Sequence, residues 1–162
     1  MKKLSVRPAD SEIEDVVNKY SGMLFKLCFT VLYSNADAED AVSDTFLRYI
    51  TRSPEFADEE HKKAWLIRVA VNICKDMCRF RKKHGCESLD EAIGYCADQS
   101  EINILEEIMR LPAKYKTVIH LFYIEGYKTA EIAEILSISK SAVRKRLQYA
   151  RGLLKIECER SF

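Results

Sequence analysis

Residues 129–147, TAEIAEILSISKSAVRKRL, carry the strongest local structural signal in the chain. Its apolar residues recur at steps of three and four, first over residues 129–136 and again from Val143, which predicts two short helices. Ser137-Ile138-Ser139 separates them as a turn. Ala133 is small where the two helices would cross closely, Ile138 would fill the turn, and Val143 would pack the second helix onto the first. This pattern is typical of a helix-turn-helix.

The second of these helices has a strongly basic outer face. Between Lys140 and Lys155 there are six basic residues and no acidic one. An α-helix fits the DNA major groove, where Arg or Lys can pair with guanine O6 and N7. The side chains expected to point outward are Lys140, Ser141, Arg144, Lys145 and Arg146. Basic residues in register with the turn favour DNA reading over a plain helical hairpin with a solvated basic face.

Three longer amphipathic helices are predicted upstream. The first spans about residues 13–31, and the second follows Ser34 or Asn35, either of which can cap it, and ends at Ser53-Pro54. The third spans about residues 60–83. Its predicted inward residues are Trp65, Leu66, Val69, Ala70, Ile73, Met77 and Phe80. No segment has the period of a strand, so the fold class is predicted to be all-α.

The chain divides by charge into two helical units. Its net charge is only +1, but residues 86–110 carry one Lys or Arg against seven Asp or Glu, and residues 85–100 lack sustained periodicity. Beyond them a short helix is predicted around residues 102–109, and another over residues 113–125 with Pro112 in its first turn. The predicted organisation is a helical bundle over 10–84, an acidic linker over 85–101 and a second small helical domain over 102–158.

Composition excludes several classes of protein. No apolar run approaches the roughly 18 residues needed to cross a bilayer, and the two N-terminal lysines precede no apolar stretch typical of a secretory signal. We therefore expect a cytoplasmic protein without membrane insertion. Neither a glycine-rich phosphate loop, an HExxH pair nor a nucleophile elbow is present, so we expect no enzymatic activity, no catalytic residue and no cofactor.

Six cysteines are better explained as reduced thiols than as disulfides, because the chain has enough apolar residues to fold without cross-links. One group, Cys74, Cys78, His84 and Cys86, approaches the composition of a metal site. Its spacing is poor for structural zinc, and free cysteine is a common small core residue, so no metal site is predicted. A redox sensor or enzyme built on this group stays open as an alternative.

Two upstream segments carry possible binding chemistry. AWLIRVAVNICKDMCRFRKK, residues 64–83, interleaves cations with aromatic rings, as proteins that bind single-stranded nucleic acid do. Trp65 and Phe80 are nevertheless more typical of core, and Asn72 could read a base edge or bond to backbone. DAEDAVSD, residues 37–44, places Asp40 and Asp44 on one helix face. That face is either a docking surface for a basic partner or simply solvated.

Three stretches together carry a resemblance to a known family. Residues 37–47 (DAEDAVSDTFL) and 64–72 (AWLIRVAVN) resemble two segments of region 2, and residues 111–155 resemble region 4, of bacterial sigma-70 family sigma factors. The stretches occur in the family's order and spacing, and the match covers about residues 13–84 and 102–156. The chain is most similar to the small extracytoplasmic-function, or group 4, class.

The resemblance implies a promoter-specificity subunit of RNA polymerase. Its region 4 would read the −35 duplex through Ser139, Lys140, Ser141, Arg144, Lys145 and Arg146. Its region 2 would bind the −10 single strand through Trp65, Arg68, Asn72, Asp76, Arg79, Arg81, Lys82 and Lys83, with Asn72 at the flipped base. Core polymerase would be bound through Asp37, Glu39, Asp40 and Asp44.

The partners implied by the resemblance are promoter DNA and core RNA polymerase, through the clamp helices of its largest subunit and the flap of the second-largest. An anti-sigma factor is also implied. A free-standing helix-turn-helix regulator that binds duplex DNA as a dimer is the main alternative. Such a regulator would need neither the 65–72 segment nor the acidic helix.

Overall fold

The computed structural model describes residues 7–84, 106 and 108–160, with side chains through Leu154. Three long helices come first: α1 (Asp10–Leu32), α2 (Asn35–Arg52) and α3 (Glu59–His84). Four further helical segments follow: α4 (Ala113–Ile119), a π-helical turn (His120–Ile124), α5 (Thr129–Leu136) and α6 (Lys140–Arg160). Throughout the described ranges there are no strands, in agreement with the all-α prediction.

Local signals in the sequence define the ends of the first helices. The backbone at Tyr33 takes a left-handed conformation, φ 52°, and its N–H donates to the carbonyl of Phe29 at 2.7 Å, which closes α1. Ser34 then accepts a hydrogen bond at its Oγ from the N–H of Asp37 and begins α2 as predicted. The Ser53-Pro54 pair ends α2, since the residue before proline avoids helical geometry.

Helices α1, α2 and α3 pack into a bundle with an apolar centre. Leu24, Leu27, Ala41, Leu66 and Ala70 are completely buried there. Small residues on α2, Ala38 and Ala41, let that helix approach its neighbours closely, so the large leucines of α1 and α3 fill the space between. Removing one such leucine would cost about 2–5 kcal/mol of folding free energy.

A polar network ties the outer ends of the same three helices. The hydroxyl of Tyr20 donates to Glu59 at 2.8 Å, that of Tyr49 donates to Glu12 at 3.1 Å, and the ammonium of Lys62 contacts both carboxylates. The hydrogen bond from Tyr20, followed by those from Lys19 and Lys62, lowers the pKa of Glu59 to about 2. The network fixes the angle at which α3 leaves the loop after α2.

The second group of helices buries an apolar centre that is continuous with the core of the first bundle. Val118, Leu121, Ile132, Val143 and Ala150 are buried at the centre of α4, α5 and α6. The chain widens at His120–Ile124, where the N–H of Glu125 bonds to the carbonyl of His120, five residues back. A continuous α-helix was predicted over 113–125, and the π-helical turn is a departure from it. Gly126, with φ 75°, closes the segment as predicted.

The two groups pack directly on each other. Lys116 of α4 is buried, and its ammonium donates to the carbonyl of Val31 near the end of α1, at 2.8 Å. One turn later, Nδ1 of the buried His120 lies 3.1 Å from Oγ1 of Thr30. A second row of contacts joins α3 to the loop after the π-helical turn. There the ammonium of Lys63 pairs with Glu125 at 3.4 Å and lies over the ring of Tyr127.

Burial along α3 differs from the predicted single stripe. The prediction that Phe80 points inward is wrong, because Phe80 is 61% exposed and its ring packs against the ring of His84. It lies on the side of α3 that faces solvent. Ile67, Val71 and Cys74, which the prediction left out, are buried. Helix α3 is covered on one side by α1 and α2 and on another by the second group, so it has two buried faces.

We predict that His120 makes folding sensitive to mild acid. Burial, with a smaller contribution from Lys26, lowers the pKa of His120 below its ordinary 6.5, although Glu125 opposes the shift. The folded chain therefore keeps this imidazole neutral while the unfolded chain binds a proton below pH 6.5. The free energy of unfolding should fall as the pH drops below 6.5, by at most about 1.4 kcal/mol per unit.

Chemical denaturation of the native chain and His120→Gln between pH 7.5 and 5 measures this contribution. His120→Gln should flatten the pH dependence, while the matched change at the exposed His84 should leave it as in the native chain. Parallel curves for the native chain and His120→Gln would contradict the assignment.

Candidate nucleic-acid interface

The helix-turn-helix forms as predicted, with α5 and α6 joined by Ser137–Ser139. Ser137 adopts a left-handed conformation, φ 55°, and the N–H of Ile138 bonds to the carbonyl of Ala133 at 3.0 Å. Ser139 begins α6, because its Oγ accepts the N–H of Ala142 at 3.0 Å. Ala133 and Val143 are buried where the helices meet. The geometry presents the first turns of α6 to solvent.

The start of α6 forms an exposed cationic surface. Ser139, Lys140, Ser141, Arg144 and Lys145 are all exposed. Arg146 is half-buried. Burial, followed by the positive charges of Arg146 and Arg79, lowers the pKa of Lys75 on α3. Five of the six predicted −35 residues are thus open to solvent, and Arg146 is partly covered.

A second exposed stripe runs along α3. Arg68, Asn72, Asp76 and Arg79 recur at steps of four, four and three, which places them on one face, and all four are exposed. Asp76 and Arg79 pair at 3.6 Å. Lys82 and Lys83 extend the exposed charge to the end of the helix. The chemistry of this stripe is a carboxamide flanked by cations.

Trp65 lies half-buried at the start of the α3 stripe. The centroid of its ring lies 5.7 Å from that of Phe56 and 6.5 Å from that of Tyr49, and both pairs of rings are edge-on. Phe56, in the loop after α2, was not identified from the sequence, because a single aromatic residue in a loop has no periodicity to mark it. The rings of Phe56 and Tyr49 therefore support the ring of Trp65.

Arg81 and Asp37, which the resemblance assigned to different partners, contact each other. The guanidinium of Arg81 forms an ion pair with Asp37 and also donates to the carbonyl of Leu32 at 2.7 Å. Both side chains are largely covered. These two contacts of one guanidinium join the end of α3 to the start of α2 and the end of α1. The remaining acidic residues of α2, Glu39, Asp40 and Asp44, are exposed.

The described cysteines are free thiols in or near the core of the first bundle. Cys28 and Cys74 are fully buried, and Cys78 lies one turn further along α3. A hydrogen bond with Cys28, followed by burial, raises the pKa of the Cys74 thiol. A buried thiol of raised pKa is a poor nucleophile, so these residues are suited to packing. Cys86, the remaining cysteine of the metal-site alternative, lies outside the described residues.

Within the described ranges no group of three or more His, Cys, Asp or Glu side chains has the placement of a metal site. In the same part of the chain no helix is both long enough and apolar enough to cross a bilayer.

Both halves of the chain match models of one protein family. Residues 16–84 match Sigma-70 region 2, and residues 101–154 match Sigma-70, region 4. The ECF RNA polymerase sigma factor SigW of Bacillus subtilis is 29% identical over 160 residues, covering 87% of this chain and 86% of that protein. SigL of Mycobacterium tuberculosis, also an ECF RNA polymerase sigma factor, is 28% identical over 152 residues, covering 86% and 84%.

Solved structures share the fold. The sigma factor RpoE of Bartonella quintana, in complex with the anti-sigma factor NepR, superposes with a TM-score of 0.76 at 19% identity, over 92% of this chain and 98% of that one. CnrH, in complex with the cytosolic domain of CnrY, superposes with a TM-score of 0.71 at 22% identity, over 95% and 92%. The chain belongs to the sigma-70 family, in its extracytoplasmic-function class. It is an RNA polymerase sigma factor that directs promoter-specific transcription.

We predict that Arg81 stabilises the fold. Arg81→Ala removes a charge-assisted pair and leaves a carbonyl at the end of α1 with one donor fewer, so the free energy of unfolding should fall by about 1–3 kcal/mol. Lys82→Ala, at the exposed next position, should change it by less than about 0.5 kcal/mol. Urea denaturation of the two variants measures the difference. Equal stability of the two variants would show that Arg81 has no such structural role.

Proposed function

We propose that the chain works as two separable binding units, with boundaries at 10–84 and 102–158 joined by residues 85–101. The first would bind core polymerase and the non-template strand of the −10 element, and the second would read the −35 element as duplex. The observation that carries this proposal is the helix-turn-helix with its exposed basic first turns of α6, following a bundle with a separate cation-and-carboxamide stripe. Each surface suits one form of DNA.

For the −35 element, α6 enters the major groove by its N-terminal turns. Arg144 and Lys145 are the side chains placed to reach base edges or phosphates, since they are exposed one turn into the helix. Ser139, Lys140 and Ser141 hold the phosphate backbone near the positive end of the helix dipole. Arg146, which is half-buried, contributes positive charge to the same surface.

For the −10 element, the exposed stripe of α3 binds single-stranded DNA. Asn72 offers both a donor and an acceptor to an extruded base, and Arg68 and Arg79 flank it with positive charge. Trp65 contributes its exposed ring edge, with Phe56 and Tyr49 holding it in place. Lys82 and Lys83 contact phosphates further along, while Asp76 orients Arg79 through their ion pair.

For core polymerase, the exposed acidic side of α2 docks on a basic surface of the clamp helices. Glu39, Asp40 and Asp44 are exposed and available for this contact. Asp37 contributes from the position in which its ion pair with Arg81 holds it. The second unit contacts the flap of the second-largest subunit. Relatives of the fold are seen with the anti-sigma factor NepR and with the cytosolic domain of CnrY, and we extend an anti-sigma partner to this chain.

The polymerase makes the phosphodiester bonds in this scheme, so the sigma factor has no catalytic residue, cofactor or metal of its own. The work takes place in the cytoplasm, where polymerase and promoter DNA are found. No feature of the described residues favours the dimeric regulator or the redox sensor over this scheme.

We predict that the acidic side of α2 is needed for initiation. Run-off transcription with purified core polymerase on fragments of the source genome should give discrete transcripts only when this protein is added. Asp40→Lys/Asp44→Lys reverses the docking charge and should reduce those transcripts at least tenfold, with loss of co-purification with core. Glu14→Lys/Asp15→Lys makes the same change on the exposed side of α1 and should retain both activities. Transcripts undiminished by the α2 change would refute this docking surface.

We predict that Arg144 contributes to −35 recognition. Arg144→Ala should weaken binding of the −35 duplex by about 1–3 kcal/mol if the side chain reads a base, and the loss should vanish when that base pair is changed. If Arg144 contacts phosphate instead, binding should weaken on all sequences and the salt slope should fall by about one. Lys114→Ala, exposed elsewhere on the second unit, is the control. Binding unchanged by Arg144→Ala excludes both roles.

A further inference from the structure

The aromatic ring of Phe80 lies on the surface of α3, beside the exposed stripe of that helix. It is 61% exposed, although a phenyl ring in water forgoes the free energy that burial would give. Every other exposed residue of α3, a helix that is described throughout, carries a polar or charged side chain. Packing within the chain therefore does not account for Phe80, and its ring is available to a partner.

A second ring holds Phe80 in place. The imidazole of His84, one turn further along α3, has its centroid 4.1 Å from that of Phe80, and the two ring planes are inclined by 36°. Residues at positions i and i+4 lie on one face of a helix, so this contact restricts the rotation of the Phe80 side chain. A side chain that is already restricted loses less entropy when it binds, which favours binding.

The surroundings of Phe80 are cationic. Arg79 precedes it, Lys82 and Lys83 follow it, and all three are exposed. Asp76, one turn before, forms an ion pair with Arg79 at 3.6 Å. Charge complementarity therefore favours an anionic partner. An aromatic ring among exposed cations is the combination with which proteins bind single-stranded nucleic acid, because the cations contact phosphates and the ring stacks on a base.

Phe80 is also aligned with the residues proposed to bind the −10 strand. It follows Asn72 by eight residues, which places it about 12 Å further along the helix axis and about 80° around it. Trp65 precedes Asn72 by seven residues, or about 10 Å. The carboxamide of Asn72 thus has an aromatic ring on each side along the helix. Each of these rings is supported by another, Trp65 by Phe56 and Phe80 by His84.

We propose that Phe80, supported by His84, is a stacking platform for a second unpaired base of the −10 strand. The neighbouring cations hold the phosphates on either side of that base. The inference rests on the proposed function and adds a residue to its −10 site. Stacked nucleotides rise about 3.4 Å each and extended ones rise more, so this base lies no more than about four nucleotides from the base at Asn72. Because every base has an aromatic face, the contact contributes affinity without selecting one base.

Binding of the −10 strand by the assembled holoenzyme tests the platform. The probe is a single strand of about 12 nucleotides with the non-template −10 sequence of a promoter found by run-off transcription. Its dissociation constant is measured with native or variant sigma factor bound to core polymerase. Phe80→Ala should weaken binding at least about fivefold, because one stacking contact is lost. Phe80→Tyr keeps the ring and should stay within about twofold of the native chain.

Two further variants separate stacking from other effects. Ile124→Ala is the matched control, because Ile124 is also 61% exposed but lies in the second unit, and it should leave binding unchanged. Lys82→Ala should lower the slope of log affinity against log salt concentration by about 0.7, as expected for one phosphate contact on a single strand. Phe80→Ala should leave that slope as it is in the native chain. A strand affinity unchanged by Phe80→Ala overturns the platform.

The same holoenzymes reveal a contact with protein instead of DNA. If Phe80→Ala weakens binding to core polymerase while its holoenzyme binds the strand as the native one does, Phe80 is a protein contact and the platform is overturned.

Phe80→Trp locates the base. The native chain has one tryptophan, so any additional quenching in Phe80→Trp comes from the new indole. With 2-aminopurine placed at each position of the strand in turn, one position should be quenched more strongly by Phe80→Trp than by the native chain. That position should lie within about four nucleotides of the base read by Asn72. Equal quenching at every position would contradict stacking at residue 80.

The two proposals fail in distinguishable ways. If the native chain directs no promoter-specific transcription, the proposed function falls and the platform falls with it. If the native chain transcribes and binds the strand, but Phe80→Ala does so equally well, only the platform is overturned.

Discussion

The carbonyl groups at the end of α1 are the point on which the arrangement of this molecule depends. Three elements converge there: Tyr33 turns the chain away, Arg81 anchors the end of α3, and Lys116 brings in the second group of helices. Because α1 has no cation of its own in its last turn, each of these contacts answers the same electrostatic need. The end of α1 thus takes part both in the packing of the first bundle and in the contact between the first bundle and the second group of helices.

The contacts within each unit and those between the units share one continuous apolar cluster. Inside the units, residues such as Leu24, Leu66 and Val143 are fully buried and give a stable core. Between the units, polar contacts accompany the apolar ones: a lysine on a carbonyl, a histidine beside a threonine and a lysine–glutamate pair. Such polar contacts replace bonds to water with little net free energy either way, so apolar burial contributes most to holding the units together.

Most of the individual helices were predictable because their signals are local. Ser34 as a cap, Pro54 as a stop and the turn at Ser137–Ser139 act within a few residues, and the structure has each where expected. What escaped prediction depends on packing between distant segments. Four features were missed: the burial of Lys116 and His120, the second buried face of α3 and the exposure of Phe80. They follow from how distant parts of the chain pack, and the periodicity of the sequence carries no information about that packing. The Trp65 support was missed for the same reason, since Phe56 comes from a loop.

The π-helical turn at His120–Ile124 has a consequence for how this protein tolerates change in chain length. A π-helical turn is an α-helix with one residue added, and each residue of an α-helix turns the chain by about 100°. Lys116 lies before the widened turn, and the helix-turn-helix lies after it. Substitutions in this segment keep the angle between the two, whereas loss of a single residue would rotate α6 relative to the contact between Lys116 and the carbonyl of Val31. The orientation of α5 and α6 therefore depends on the number of residues in this segment as much as on their identity.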